Sequence, residues 1–286
     1  MGTTDVDAVE FRVGQRRDWA KTARGWHIWE EHRVRATAHV SERLVEMAGI
    51  EPADRVLDVA AGSGEPSLTA ARMVGPEGTV VATDLSPEML AYGRERAAAA
   101  GLDNIEFVEA DASSLDFPAD SFDAALSRWG IIFEPEPEAA AARIRGFLKP
   151  RARMAISSWG LPEQVPMMAI PMRTVIARLN VPPPPPGTPG PLSRPTREAI
   201  TQLLTGGGFS EVEVEELSVE FEWDSVDDFV RSTQDLAVSI NTMLAQHPQP
   251  VRDDTWAAIA DAVSSHADPD GSLRLTNLAL LAVGSA

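Results

Sequence analysis

The sequence of 286 residues contains no cysteine. That excludes a disulfide framework, a zinc–thiolate site and a cysteine nucleophile, and it fits an intracellular setting. Positive charge is scarce: 25 Lys and Arg stand against 43 Asp and Glu, a net charge of −18. A field of that sign repels phosphate backbones and anionic bilayers, so neither nucleic acid nor membrane is expected as a partner. Nowhere do eighteen apolar residues run together, and the acid-bearing stretch MGTTDVDAVEFRVGQRRDW lacks the apolar run of a signal peptide. A cytoplasmic protein is the expectation. Histidines are few and scattered: His27, His32, His39, His247 and His266 match no ligand spacing, so no metal is expected.

What the chain has is apolar substance. With 44% hydrophobic residues it can bury a large core, as one sizeable domain or one domain with an appendage. Apolar, β-branched runs at 55–60, 79–85, 105–109, 122–129 and 153–159 alternate with alanine-rich or amphipathic segments. Strands buried on both faces read this way, and right-handed crossover helices then cover a parallel sheet. Two further strands are expected at 211–223 and 275–286, with helical stretches beginning near Asp227 and Asp254 between them. The last strand can therefore slot antiparallel between its predecessors. The predicted fold is α/β: a doubly wound, Rossmann-like sheet of seven mostly parallel strands with an antiparallel last strand, a helical N-terminal cap and an inserted lid. The predicted divisions are 1–50 for the cap, 51–160 for a cofactor-binding core, 161–205 for a lid with the run VPPPPPGTPGP, and 206–286 for the rest of the core. The Trp-, Arg- and His-rich cap is expected at the C-terminal edge of the strands, where ligands of open α/β sheets bind.

One stretch points to a ligand. RVLDVAAGSGEPSLTAARM, residues 55–73, passes from strand through Gly62 and Gly64 into a helix. Such a turn brings backbone close to a ligand and presents free N–H groups at the helix start. About twenty residues on, Asp84 ends the second strand, where a carboxylate can accept hydrogen bonds from both hydroxyls of a ribose. Together these indicate a nucleoside. A pyrophosphate fits poorly, because Ser67 stands where a dinucleotide site wants its third glycine. Asp111 ends the third strand, placed to reach an adenine amine while the Ala112 N–H reaches a ring nitrogen. Each of these residues also has a bland reading as a turn or cap residue. An NAD(P)-linked oxidoreductase stays open on the first turn and Asp84 alone.

Taken in order, VLDVAAGSGEPSLTAA, VVATDLSPEML, VEADASSLDFPADSFDAALSRWGIIF and IRGFLKPRARMAIS resemble the motifs of class I S-adenosylmethionine-dependent methyltransferases. The likeness is to the small-molecule branch that includes the ubiquinone and menaquinone methyltransferases, and it covers about Val40 to Trp159. It implies S-adenosyl-L-methionine as cofactor, with Ala60, Gly62 and Gly64 along its methionine part and Asp84 on the ribose. Leu85 and Met89 would flank the adenine, Asp111 and Ala112 read its edge, and Ser127 with Arg128 sit beside the sulfonium. Asp58 would support the loop from behind. One departure is Arg151-Ala152-Arg153, where a glycine pair usually follows Lys-Pro; a local cost is expected, at the end of the sheet away from the ligand.

The implied activity is methyl transfer to an O, N or C centre of a small, apolar metabolite by in-line displacement. A non-methylating member of the same fold would keep every motif. His27 is the candidate general base, because an imidazole titrates near neutrality. Trp26 and Trp129, with Trp29, are candidates to wall a substrate chamber, although aromatic residues at such spacing also pack cap helices. Met168, with Met167 and Met172, stands where this family inserts its lid, and methionines adapt to irregular apolar ligands.

Overall fold

In the computed structural model, residues 8–185 and 187–286 are described; the first seven residues of the expected cap and Pro186 of the proline run lie outside the described residues. β1 (Arg55–Val59) is buried from Val56 onward, as a strand covered on both faces must be. It is an inner strand of a seven-stranded sheet with β2 (Thr79–Asp84), β3 (Ile105–Glu109), β4 (Phe122–Arg128), β5 (Leu148–Trp159), β6 (Ser210–Trp223) and β7 (Leu273–Ser285). The order is β3-β2-β1-β4-β5-β7-β6. The first five strands pair in parallel, and β7 runs antiparallel between β5 and β6. The slot expected for the last strand is thus the one it takes.

Ten helices surround the sheet among the described residues: α1 (Ala8–Ile28), α2 (Glu30–Ala48), α3 (Ser67–Val74), α4 (Pro87–Ala99), α5 (Pro137–Arg145), α6 (Pro166–Leu179), α7 (Arg197–Gly206), α8 (Val226–Leu236), α9 (Val238–Leu244) and α10 (Gln249–Ser264). Their starts follow local rules. The side chains of Ser86, Thr196 and Ser225 accept the N–H groups of Met89, Ala199 and Asp228 at 3.1–3.3 Å, satisfying donors that the first helical turn leaves free. Gly101, at φ +66°, closes α4. Two apolar layers result. One puts α2, α3, α6, α8 and α10 against Val56, Ala124 and Ala155; the other puts α5 and α7 against Leu57, Ala125 and Ile156.

Three features differ from the sequence reading. β5 begins at Leu148 rather than Arg153: Leu148 pairs with Phe122 across an irregularity at which Arg151 takes φ +68°. Arginine here adopts the left-handed conformation that favours glycine, at a cost of roughly 1–2 kcal/mol. Second, the N-terminal helices divide. α1 meets the C-terminal ends of the strands as expected, whereas the second half of α2 (Val40, Leu44, Val45 and Met47) is buried on the face of the sheet. Third, the segment expected as a lid packs firmly. Ile170 and Val175 of α6 are buried, Met167 N–H donates to Asn277 Oδ1 at 3.2 Å, and the chain beyond the prolines returns to Ile132 through Ser193 Oγ, which donates to the Ile132 carbonyl at 2.7 Å. No helix among the described residues is long and apolar enough to cross a membrane, and no cluster of His, Asp and Glu among them has the makings of a metal site.

Candidate functional site

The turn after β1 is built from residues in left-handed backbone: Ala60 at φ +59°, Gly62 at +56° and Gly64 at +105°. Gly64 is demanded by packing. A Cβ there would stand 2.4 Å from Leu68 Cδ1 and 3.4 Å from Gly93 Cα, so this glycine lets α3 and α4 close on the turn. At Gly62 an added Cβ would meet only Met89 Cε, at 3.4 Å. Gly130, which sequence reasoning passed over, is forced in the same way: its Cβ would lie 2.5 Å from Ala60 Cβ and 2.8 Å from Ser127 Oγ.

Asp84 ends β2 directly beside this turn and is 8% exposed. Its Oδ2 accepts the Gly62 N–H and its Oδ1 the Ser86 N–H, both at 2.8 Å. Burial pushes the carboxyl up to about 6, against the pull of those backbone donors. Each oxygen keeps a second lone pair, so the group can accept two further hydrogen bonds side by side. Met89, buried at the start of α4, and half-buried Leu85 lie next to it. Asp111 is turned by Ser113, whose N–H and Oγ donate to its Oδ1 at 2.8 and 2.5 Å; Ala112 beside it is buried. The Oδ2 of Asp111 faces Arg12 of α1 at 3.4 Å, and Arg12 lies equally near Glu134 Oε2. Glu134 is buried and its carboxyl is raised to about 7, by desolvation first and the Asp111 charge second. With Gln15 Nε2 donating to the Phe133 carbonyl at 2.8 Å, α1 lies across the ends of β3 and β4.

The fourth strand's end is occupied by structural bonds. Ser127 Oγ donates to the Val59 carbonyl at 2.8 Å and accepts the Ile131 N–H at 2.9 Å, tying β4 to β1. Arg128 turns toward α2, donating from Nη1 to Thr37 Oγ1 at 2.8 Å and Ser41 Oγ at 3.1 Å. Trp129 takes φ +53°, donates its N–H to Ser157 Oγ at 2.9 Å and stacks on Trp159 with ring centroids 4.3 Å apart. Partly buried Met168 joins Trp129 on the same apolar layer. Asp58 is fully buried behind the turn and accepts the hydroxyl of Ser67 at the start of α3, the supporting role expected of it; desolvation raises it to about 7.

Trp26 stands under the Arg33 guanidinium, 4.1 Å from ring centroid to Cζ, and meets Trp19 edge-on. His27 lies elsewhere: exposed on the last turn of α1, it stacks on Tyr92 at 4.3 Å with Nδ1 3.6 Å from Glu30. Trp29 donates Nε1 to Asp235 Oδ2 at 2.8 Å, half-buried His32 packs among Trp29, Phe221 and Trp223, and His39 meets the Ser218 carbonyl at 3.0 Å. These three hold α2 to its neighbours. Sequence reasoning also passed over Arg33 and Arg96. Arg33 donates to Ser63 Oγ at 3.2 Å and Arg96 to the Ser63 carbonyl at 2.7 Å, both inside the glycine turn. No sequence signal singled them out, since α2 also carries Arg35 and Arg43 and α4 also carries Arg94.

Residues 56–151 match a family model described as a methyltransferase domain. The chain resembles the class I S-adenosylmethionine-dependent methyltransferases. A ubiquinone/menaquinone biosynthesis C-methyltransferase of Teredinibacter turnerae is 36% identical over 120 residues, 42% of this chain and 48% of that protein. An uncharacterized protein of Mycobacterium bovis is 44% identical over 116 residues, 41% of each chain. The chain thus spans less than half the length of the curated relatives it matches. The crystal structure of the YcgJ protein from Bacillus subtilis shares the fold, with a TM-score of 0.56 at 18% identity, over 87% of this chain and 98% of that one. The methyltransferase-like region therefore holds β1 through β4 and the start of β5, the part that carries the glycine turn, Asp84 and Asp111.

Proposed function

We propose that the chain is an S-adenosylmethionine-dependent methyltransferase acting on a small molecule. The observation that carries this reading is the Asp84 carboxylate, fixed by the Gly62 and Ser86 N–H groups with one lone pair of each oxygen left over. A vicinal diol fits that pair. Around it, Ala60, Gly62 and Gly64 border the methionine part, Leu85 and Met89 flank an adenine, and Asp111 with the Ala112 N–H reads its edge. Ser127 and Arg128 border the reacting end, Ser127 by fixing the turn and not by direct contact. When bound, S-adenosylmethionine supplies a methyl group on a positively charged sulfur, which an O, N or C nucleophile displaces in line.

The residues of the chain bind and orient. Trp26, Trp129 and Met168 offer apolar walls for a small, largely apolar acceptor. In this reading α1 and the described part of the segment 161–195 cover the C-terminal edge of the strands and exclude water. Holding a nucleophile on the axis of the breaking bond is worth up to about 7–11 kcal/mol, enough to make positioning the main source of rate. His27, exposed and stacked on Tyr92, is no longer the preferred base.

Calorimetric titration with S-adenosylmethionine tests the reading. Asp84→Ala removes both acceptors. Two charge-assisted hydrogen bonds at about 1.5–3 kcal/mol each imply a loss of at least about a hundredfold in affinity. Undiminished affinity in the folded variant, or binding of NAD in place of S-adenosylmethionine, overturns it.

A further inference from the structure

The two oxygens of Asp111 are differently engaged. Oδ1 is spent on Ser113, whose N–H and Oγ both donate to it. Oδ2 accepts no hydrogen bond among the described residues; it faces the Arg12 Nε across 3.4 Å as an ion pair alone. The donors of Arg12 go instead to Glu134, whose Oε2 accepts from Nε at 3.4 Å and from Nη2 at 3.5 Å. One guanidinium thus stands between two acids, and its hydrogen bonds go to the acid farther from solvent: the Glu134 side chain is 8% exposed and that of Asp111 22%.

Glu134 is held from behind. It follows the short turn Ile131–Phe133 after β4, and its N–H donates to the Ile131 carbonyl at 3.0 Å. α1 is fixed here by contacts other than Arg12, since Gln15 donates to the Phe133 carbonyl at 2.8 Å and Trp19 meets the Phe133 ring edge-on at 5.3 Å. The Arg12 side chain can therefore pass from one carboxylate to the other without moving its helix. Which acid it bonds decides what Asp111 can do. An oxygen that only faces a charge keeps its lone pairs for an incoming N–H, whereas one bonded by a guanidinium gives them up to it.

We propose that Glu134 and Arg12 set the base preference of the nucleoside site: by keeping the hydrogen bonds of Arg12, Glu134 leaves Asp111 Oδ2 for the exocyclic amine of the ligand's base. Glu134 is a positioning residue, acting on the ligand through Arg12 and Asp111. When Glu134 loses its charge, Asp111 becomes the stronger acceptor for Arg12, and the guanidinium takes Oδ2. Its remaining N–H groups then stand where an amine would have donated, and they suit a base with a carbonyl there. That loss of charge falls near neutrality, because burial first and the Asp111 charge second raise Glu134 to about 7, with Arg12 opposing. The charges that act on Glu134 are Asp111, from the turn after β3, and Arg12, from α1. On the neighbouring elements Arg16 is paired with Glu109, and Arg194 with Glu138 of α5. The inference rests on the proposed methyltransferase reading for its ligand.

Wild type, Glu134→Gln and the double variant Glu134→Gln/Arg12→Met are titrated calorimetrically at pH 8 and pH 6 with S-adenosylhomocysteine and with S-inosylhomocysteine, which carries a carbonyl in place of the amine. The two ligands share their sugar and amino-acid end, so the ratio of their affinities reports the base. Wild type should prefer the adenosyl ligand at pH 8 and lose about tenfold of that preference at pH 6, the worth of one hydrogen bond to a charged group. Glu134→Gln should show the smaller ratio at both pH values. Removing Arg12 as well should restore the larger ratio at both, because no guanidinium is left to take Oδ2. A merely structural Glu134 would behave otherwise, the second substitution adding to the loss. A wild-type ratio that is the same at both pH values, or a double variant no better than Glu134→Gln, overturns the inference; binding of S-adenosylhomocysteine by wild type then leaves the methyltransferase reading standing. If wild type binds neither nucleoside, that reading falls and takes this inference with it.

Discussion

Gly64→Ala separates two reasons for a glycine, and Gly49→Ala is the control. Both positions have positive φ: an alanine at +68° (Gly49) sits in the left-handed well at a cost of roughly 1–2 kcal/mol, and at +105° (Gly64) it lies outside that well and costs more. They differ in space. At Gly49, just past the end of α2, an added Cβ meets nothing within 4 Å; at Gly64 it would sit 2.4 Å from Leu68 Cδ1, and Leu68 is fully buried. Leu68 Cδ1 is the end of a buried side chain, so displacing it presses on its packed neighbours and adds overpacking of about 1–3 kcal/mol to the strain. We expect Gly49→Ala to destabilise by about 1 kcal/mol and Gly64→Ala by about 3–4 kcal/mol, the difference being the clash together with the greater backbone strain at Gly64. Urea unfolding followed by circular dichroism measures both. The double variant Gly64→Ala/Leu68→Val should recover part of the clash, so that the two changes are less costly together than their sum. Equal costs at Gly49 and Gly64 would refute the argument that α3 packing fixes this glycine, and would return the position to its earlier reading as a point of close ligand approach.

Three other expectations follow from the structure. Arg151→Gly relieves the left-handed arginine before β5 and should stabilise the protein by about 1 kcal/mol, seen as a higher urea midpoint; an unchanged or lower midpoint counts against strain there. Asp58 and Glu134 are raised to about 7 and Asp84 to about 6, so the folded chain holds protons that the unfolded chain has released between about pH 4 and 7. Their contribution to stability is present below the unfolded carboxylate range and is lost as pH rises through 6 to 7. The unfolding free energy should therefore rise when pH is lowered from 7.5 to 5.5, and Asp58→Asn should flatten that slope; an identical slope in the variant removes Asp58 as its source. His27→Ala should leave methyl transfer within about twofold, because its ring is exposed and stacked on Tyr92 of α4, away from Asp84 and the glycine turn; a steep fall in turnover with acceptor binding intact restores it as a general base.

The strands were legible because burial on both faces writes itself as continuous apolar runs, and their limits at β1 to β4 lie within a residue of the sequence reading. β7 was placed correctly between β5 and β6 from chain order and helix spacing. Local chemistry was equally readable: Ser86 before Pro87, Gly101 after α4, and Asp84 at the end of β2 each act through neighbours a few residues away. The sequence by itself thus determined the α/β sheet, the glycine turn and the acid beside it. Tertiary structure alone decided what crosses between elements. That Gly64 answers to Leu68 and Gly93, that Ser127 is spent on Val59 and Ile131, and that Asp111 shares Arg12 with Glu134 all depend on side chains far apart in the chain. The same holds for His27, which periodicity places on a cap helix without saying which way the ring turns, and for Arg33. An arginine on an amphipathic helix reads as surface; only packing of α2 over the turn buries its charge and leaves its Nε without an acceptor. Burial of polar groups is a property of the assembled layers, and no local pattern encodes it.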